Sequence, residues 1–144
     1  MPKSTTFSND LVALIFNGTA ISGLADNTSG SPLTNLFLSL HISDPGVGGS
    51  QLEGETSYTN YARVSVSRTA ASGWTVAAGV AQNVALIQFP QCGITGATIT
   101  HVAVGTASGG AGKVLYAGSL NANLAVANLI QPQFSAAALT VTES

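Results

Sequence analysis

The chain has 144 residues; 45% are apolar but only 7% are charged, with four basic residues and a formal net charge of −2. A soluble domain usually carries about 25% charge, so little of this surface is built to face bulk water. Ordinary hydrophobicity excludes a disordered chain. The shortage of Lys and Arg excludes a nucleic-acid binder and a membrane surface held by basic clusters. The length suits one domain with a real core. Cys92 is the one cysteine, so no intrachain disulfide can form, which is compatible with a reducing compartment. The start MPKSTTFSND lacks the apolar segment of a secretory signal, and Leu11–Phe16 is too short to cross a bilayer. The expectation is a soluble protein made in a cytoplasm, with no cofactor, no nucleic acid and no membrane partner.

In chain order, Ser8 is expected to cap a short helix through Leu11, Val12, Leu14, Ile15 and Phe16, with Gly18 at its end. Gly23–Pro32 is polar and reads as a loop. In NLFLSLHIS the period changes to two. Leu36, Leu38, Leu40 and Ile42 share one face, and Phe37, Ser39, His41 and Ser43 share the other. Asp44-Pro45-Gly46 then supplies turn chemistry, and a polar loop runs to about Ser57. Further strands are expected at Tyr61–Arg68, Trp74–Ala77, Val84–Phe89, Thr98–Val104, Lys113–Leu120, Leu124–Ile130 and Leu139–Thr142. Eight short strands with frequent turns and one helix describe an all-β, antiparallel β-sandwich or barrel. The expected organisation is an N-terminal segment, 1–32, followed by a β-sandwich domain, 33–144.

The residues capable of chemistry do not assemble into a catalytic set. His41 and Asp44 read as a half-exposed strand histidine and a turn residue, and no G-x-S-x-G elbow occurs. His41 and His101 lack metal-site spacing. Glu53 and Glu55 read as a solvated acidic loop rather than a glycosidase pair. Cys92 has no basic neighbour in sequence to activate it. SGGAGK, Ser108 to Lys113, fails the phosphate-loop pattern because Val114 stands where Ser or Thr is required; it reads as a glycine-rich hairpin turn. The expectation is therefore a binding or structural protein, not an enzyme. Tyr58, Tyr61 and Trp74 are candidate interface anchors and equally candidate core fillers. Arg63 and Arg68 are candidate interface residues, each expected to meet an acid, on this chain or on a neighbouring subunit.

Taken together, LFLSLHISDPG, SYTNYARVSVSR, the GW pair, the strand ending FPQC, and ITHVAVGTASGGAGKVLYAGSL resemble small virion proteins of tailed bacteriophages. The resemblance covers about Leu36 to Leu120. It implies a virion component made in the host cytoplasm, and a jelly-roll form of the β-sandwich. The favoured expectation is a head-decoration (cement) protein that binds across capsid-subunit boundaries. Its partners would be the major capsid protein and copies of itself, as a dimer or trimer. The alternative is a tail- or tail-fibre-associated structural protein.

Overall fold

In the computed structural model, which describes residues 3–26, 28, 30–46 and 49–143, one helix precedes nine strands. The helix α1 spans Thr5–Asn17. The strands are β1 (Asn35–His41), β2 (Val64–Ser67), β3 (Trp74–Ala77), β4 (Val80–Asn83), β5 (Ile87–Gln88), β6 (Ala97–Gly105), β7 (Val114–Val126), β8 (Gln133–Phe134) and β9 (Thr140–Thr142). They form sheets ordered β2-β1-β6-β7, β3-β4-β9 and β5-β8. The β1/β6, β6/β7, β3/β4 and β4/β9 pairs are antiparallel. The fold is thus all-β with antiparallel sheets and one N-terminal helix, as expected; jelly-roll closure, which needs two four-stranded sheets, goes beyond these strand orders.

Residue contacts divide the chain into two compact units. The first contains Met1–Asn35, Ser67–Ile87 and Phe134–Ser144; the second contains Leu36–Val66 and Gln88–Gln133. The N-terminal segment therefore shares its unit with two later stretches of chain.

In the first unit, the helix starts one turn earlier than expected. Ser4 is its cap, with its hydroxyl accepting from the Phe7 N–H at 3.2 Å, while Ser8 is buried within the helix. The end is as expected: Gly18 takes φ 64°, open to glycine without a Cβ penalty, and its N–H meets the Leu14 carbonyl at 3.1 Å. Val12 and Phe16 are fully buried, and Phe16 meets Trp74 edge to face with ring centroids 4.7 Å apart. Strand β3 runs where expected, and β4 lies at Val80–Asn83, where the sequence pattern predicts no strand. Its turn is Ala78-Gly79, both with positive φ (50° and 77°), so a two-residue hairpin is made without Asn-Gly or Asp-Gly.

Asn83 closes this unit. Its amide donates to the Ala85 and Ser135 carbonyls, both at 2.8 Å, and its Oδ1 accepts from the Leu139 N–H at 2.9 Å. The residue is only 2% exposed. Replacing Asn83 by Ala strands a buried N–H and two carbonyls, so Asn83→Ala is expected to cost about 2–4 kcal/mol in urea unfolding. A loss below 0.5 kcal/mol, the scale of a neutral surface change, would show that water can take over all three bonds.

In the second unit, β1 is a central strand with β2 and β6 on either side. Leu36, Leu38 and Leu40 are buried as their period predicts. The opposite face departs from expectation. Ser39 and His41 are both 0% exposed, whereas Ile42, just beyond the strand, is 52% exposed. The cause is a strap of chain, Ser50–Thr56, lying along the end of β1. Ile42 N–H bonds Gly54 O at 2.8 Å, and Thr56 N–H bonds Leu40 O at 2.9 Å. Strand β7 also differs. It runs 13 residues across the expected break at 121–123, which is absorbed by a register shift opposite Ile99 and His101.

Candidate functional site

All five candidate interface residues make contacts within their own unit, and Tyr58 and Trp74 are buried. Trp74 is 0% and Tyr58 2% exposed, and each fills the core of its own unit. The Tyr58 hydroxyl donates to the Pro90 carbonyl at 2.8 Å; burial first, and the neighbouring Cys92 second, push its pKa up to about 12. Arg68 serves the first unit. Its guanidinium donates to the carbonyls of Ile15 (2.6 Å), Leu14 (2.7 Å) and Leu33 (2.6 Å). The first two are end carbonyls of α1, which carry the negative end of the helix dipole. Burial holds this arginine below its ordinary pKa.

Tyr61 and Arg63 belong to a polar chain in the second unit. Leu40 N–H donates to the Tyr61 hydroxyl at 3.1 Å, and that hydroxyl donates to Glu55 Oε1 at 2.8 Å. Arg63 grips Glu55 bidentately, Nε to Oε1 and Nη2 to Oε2, each 2.7 Å. Its remaining donors reach Ala107 O at 2.9 Å and Gly110 O at 2.7 Å. The Arg63 side chain is 2% exposed and Glu55 12%. Glu55 is therefore the acid for Arg63, on the same chain, and not part of a solvated acidic loop; Glu53 alone of the pair is exposed. The glycine-rich turn presents carbonyls to a guanidinium, the reverse of a phosphate cradle.

Sequence reasoning missed Gln51, whose importance comes only from distant partners. It is 0% exposed. Its amide donates to Phe37 O at 3.3 Å, its Oε1 accepts from Ala107 N–H at 3.0 Å, and its own N–H reaches Gly112 O at 2.7 Å. Gly105 and Gly112 lack side chains where this glutamine lies; a Cβ at either would collide with it.

His41 and Ser39 do touch, with Oγ to Nε2 at 2.8 Å, but both are sealed from solvent, and the other ring nitrogen is taken by Glu53 O at 2.8 Å. A nucleophile there would have no path to a substrate. His101 lies opposite His41 in the β1/β6 register, yet both His41 nitrogens are occupied. Among the described residues, no three His, Cys, Asp or Glu gather as a metal site. No described helix is long and apolar enough to cross a membrane. Cys92 is 1% exposed, with its sulfur within reach of the Gly93 and Thr95 carbonyls.

The second unit also shows apolar side chains to solvent on the loops around 91–95 and 127–130. Ile94 is 90%, Leu129 68% and Ile130 43% exposed. Their loops are tied together: Leu129 N–H to Cys92 O at 2.8 Å, Cys92 N–H to Ile130 O at 2.9 Å, and Gln91 amide to Leu129 O at 2.9 Å. The 58–60 loop joins through Gly93 N–H to Thr59 O at 2.9 Å and Thr95 N–H to Thr59 Oγ1 at 3.0 Å. Leu129 holds φ 70°, a strained value for a leucine, while showing most of its side chain to solvent. Neither packing within the chain nor backbone preference explains a leucine here. Leu129→Gly is expected to stabilise the isolated chain by about 1 kcal/mol by removing the Cβ penalty. A fall in melting temperature instead would mean that the leucine packs within its own fold.

A search of the curated proteins finds no match. A family model does match, described as podophage GP4 fiber I protein gp80, over residues 2–142. With the match running over nearly the whole chain, and with a β-rich fold, the chain belongs to the podophage GP4 fiber I protein gp80 family of phage structural proteins.

Proposed function

We propose that this chain is a non-enzymatic structural part of the fibre apparatus of a tailed bacteriophage. The observation that carries the reading is the family match over residues 2–142, whose description names a fiber protein. It favours the tail-fibre alternative over capsid decoration, the reading preferred from sequence. The arrangement of residues supports a structural role. The Ser39–His41 and Glu55–Arg63 groups, which could do chemistry elsewhere, are buried and committed to internal bonds. The outward apolar residues Ile94, Leu129 and Ile130 sit on hydrogen-bonded loops, the form of a contact surface held ready for a partner. Its partners are then neighbouring virion subunits, including copies of itself.

The test is to disrupt purified virions, separate heads from tails and quantify this chain in each by mass spectrometry. Recovery with the tail and fibre fraction supports the reading. Recovery with heads, in fixed ratio to the major capsid protein, returns the chain to capsid decoration.

A further inference from the structure

We propose that the strap Ser50–Thr56 is an acid-released clasp, latched by the buried side chain of His41. The inference goes beyond the fibre reading and does not depend on it. The imidazole is 0% exposed and bonded at both nitrogens. Glu53 O can only accept, so Nδ1 carries the proton and donates to it at 2.8 Å. Nε2 is then the acceptor, and the Ser39 hydroxyl donates to it at 2.8 Å. The Gln51 amide approaches the same hydroxyl oxygen at 3.5 Å. His41 thus ties β1 to the strap through Nδ1–H, while the buried Ser39 hydroxyl has Nε2 as its acceptor only as long as the imidazole is neutral.

A second proton on the ring would sit on Nε2 and face the Ser39 oxygen. The serine would have to turn its own hydrogen away from Nε2, and with His41 and Gln51 both donating to its oxygen that buried hydrogen loses its acceptor. The surrounding charges do not rescue this state cleanly. Burial opposes the cation most strongly, the Glu53 carbonyl and the Glu55 carboxylate favour it, and Arg63 and His101 oppose it. Tyr61, whose hydroxyl reaches Leu40 and Glu55, carries no charge at these pH values, and burial raises its pKa further. Opening the strap relieves the conflict by exposing the ring to water.

The consequence reaches the surface. The strap carries Glu55, so its release takes away the bidentate partner of Arg63, and Arg63 in turn anchors the 107–110 turn through two carbonyls. Acid sensed at a core strand is thereby passed to an exposed glycine-rich loop.

Hydrogen exchange with mass spectrometry on the whole chain tests this, corrected for the intrinsic pH dependence of exchange. The Gly54-bonded Ile42 amide and the Gln51 and Thr56 amides are the reporters. Because the open ring titrates near 6.5 and the closed ring below it, the opening constant should rise as pH falls below 6.5, approaching about tenfold per pH unit while the closed ring stays neutral. The β3-β4-β9 amides should keep their protection over the same range. In His41→Gln the slope should vanish. If that variant does not fold, the ring signal of His41 in the native chain, followed by NMR, should titrate together with strap exchange. Strap protection that is flat from pH 7.5 to 5, or lost in step with every other strand, overturns the proposal.

Discussion

Arg63→Ala should lower the stability of the second unit by about 3–5 kcal/mol, seen as a fall in melting temperature of roughly 10–20 °C. The magnitude follows from what is left behind. The arginine side chain is 2% exposed and makes four hydrogen bonds, two of them to Glu55. Without it, a nearly buried carboxylate keeps, among the described residues, only the Tyr61 hydroxyl at 2.8 Å, and the Ala107 carbonyl loses this donor, while Gly110 O retains the Gly112 N–H at 2.9 Å. Glu55 raises the pKa of Arg63 chiefly through these hydrogen bonds, against the opposing effect of burial. Arg63→Lys should recover little, because an ammonium cannot span both carboxylate oxygens and two separate carbonyls. Replacing both partners, Glu55→Leu with Arg63→Met, should cost less than Arg63→Ala alone, since no unpaired charge remains. If the double variant proves as unstable as the single one, the loss lies in the unpaired Ala107 carbonyl and not in the carboxylate.

The first unit answers to Trp74. Trp74→Ala should cost about 3–5 kcal/mol, because the ring is fully buried against Phe16, and α1 cannot close over the void without moving its own core residues. Trp74→Phe gives a sharper test. The indole Nε1 is buried without a hydrogen-bond partner among the described residues. Phenylalanine therefore deletes an unsatisfied donor as well as ring volume, and the two effects offset. Urea unfolding followed by circular dichroism should place Trp74→Phe within about 1.5 kcal/mol of the native chain. A penalty equal to that of alanine would mean that the indole N–H does find a partner.

Local pattern showed β1, β3 and the Gly18 stop, because alternation, a tryptophan-led strand and a left-handed glycine are all written within a few residues. It hid β4, whose turn is Ala-Gly, and it split β7 at Asn121 and Asn123, where a register shift lets the strand continue. Burial of the polar face of β1 was invisible for a different reason. Ser39 and His41 alternate as solvent-facing residues would, and only the strap from 50–56 covers them. The Glu55–Arg63 pairing spans eight residues and its carbonyl contacts more than forty. No periodicity carries such information. Few charges in a chain left the same question open for each: the six acids and four bases were too sparse to reveal which met which.

The most direct test of the structural fibre account is to image virions assembled without this chain. The account predicts filled heads of normal heat resistance on particles that lack fibre density, with the density restored when the purified chain is added back. Intact fibres on heads that break at lower temperature would contradict it.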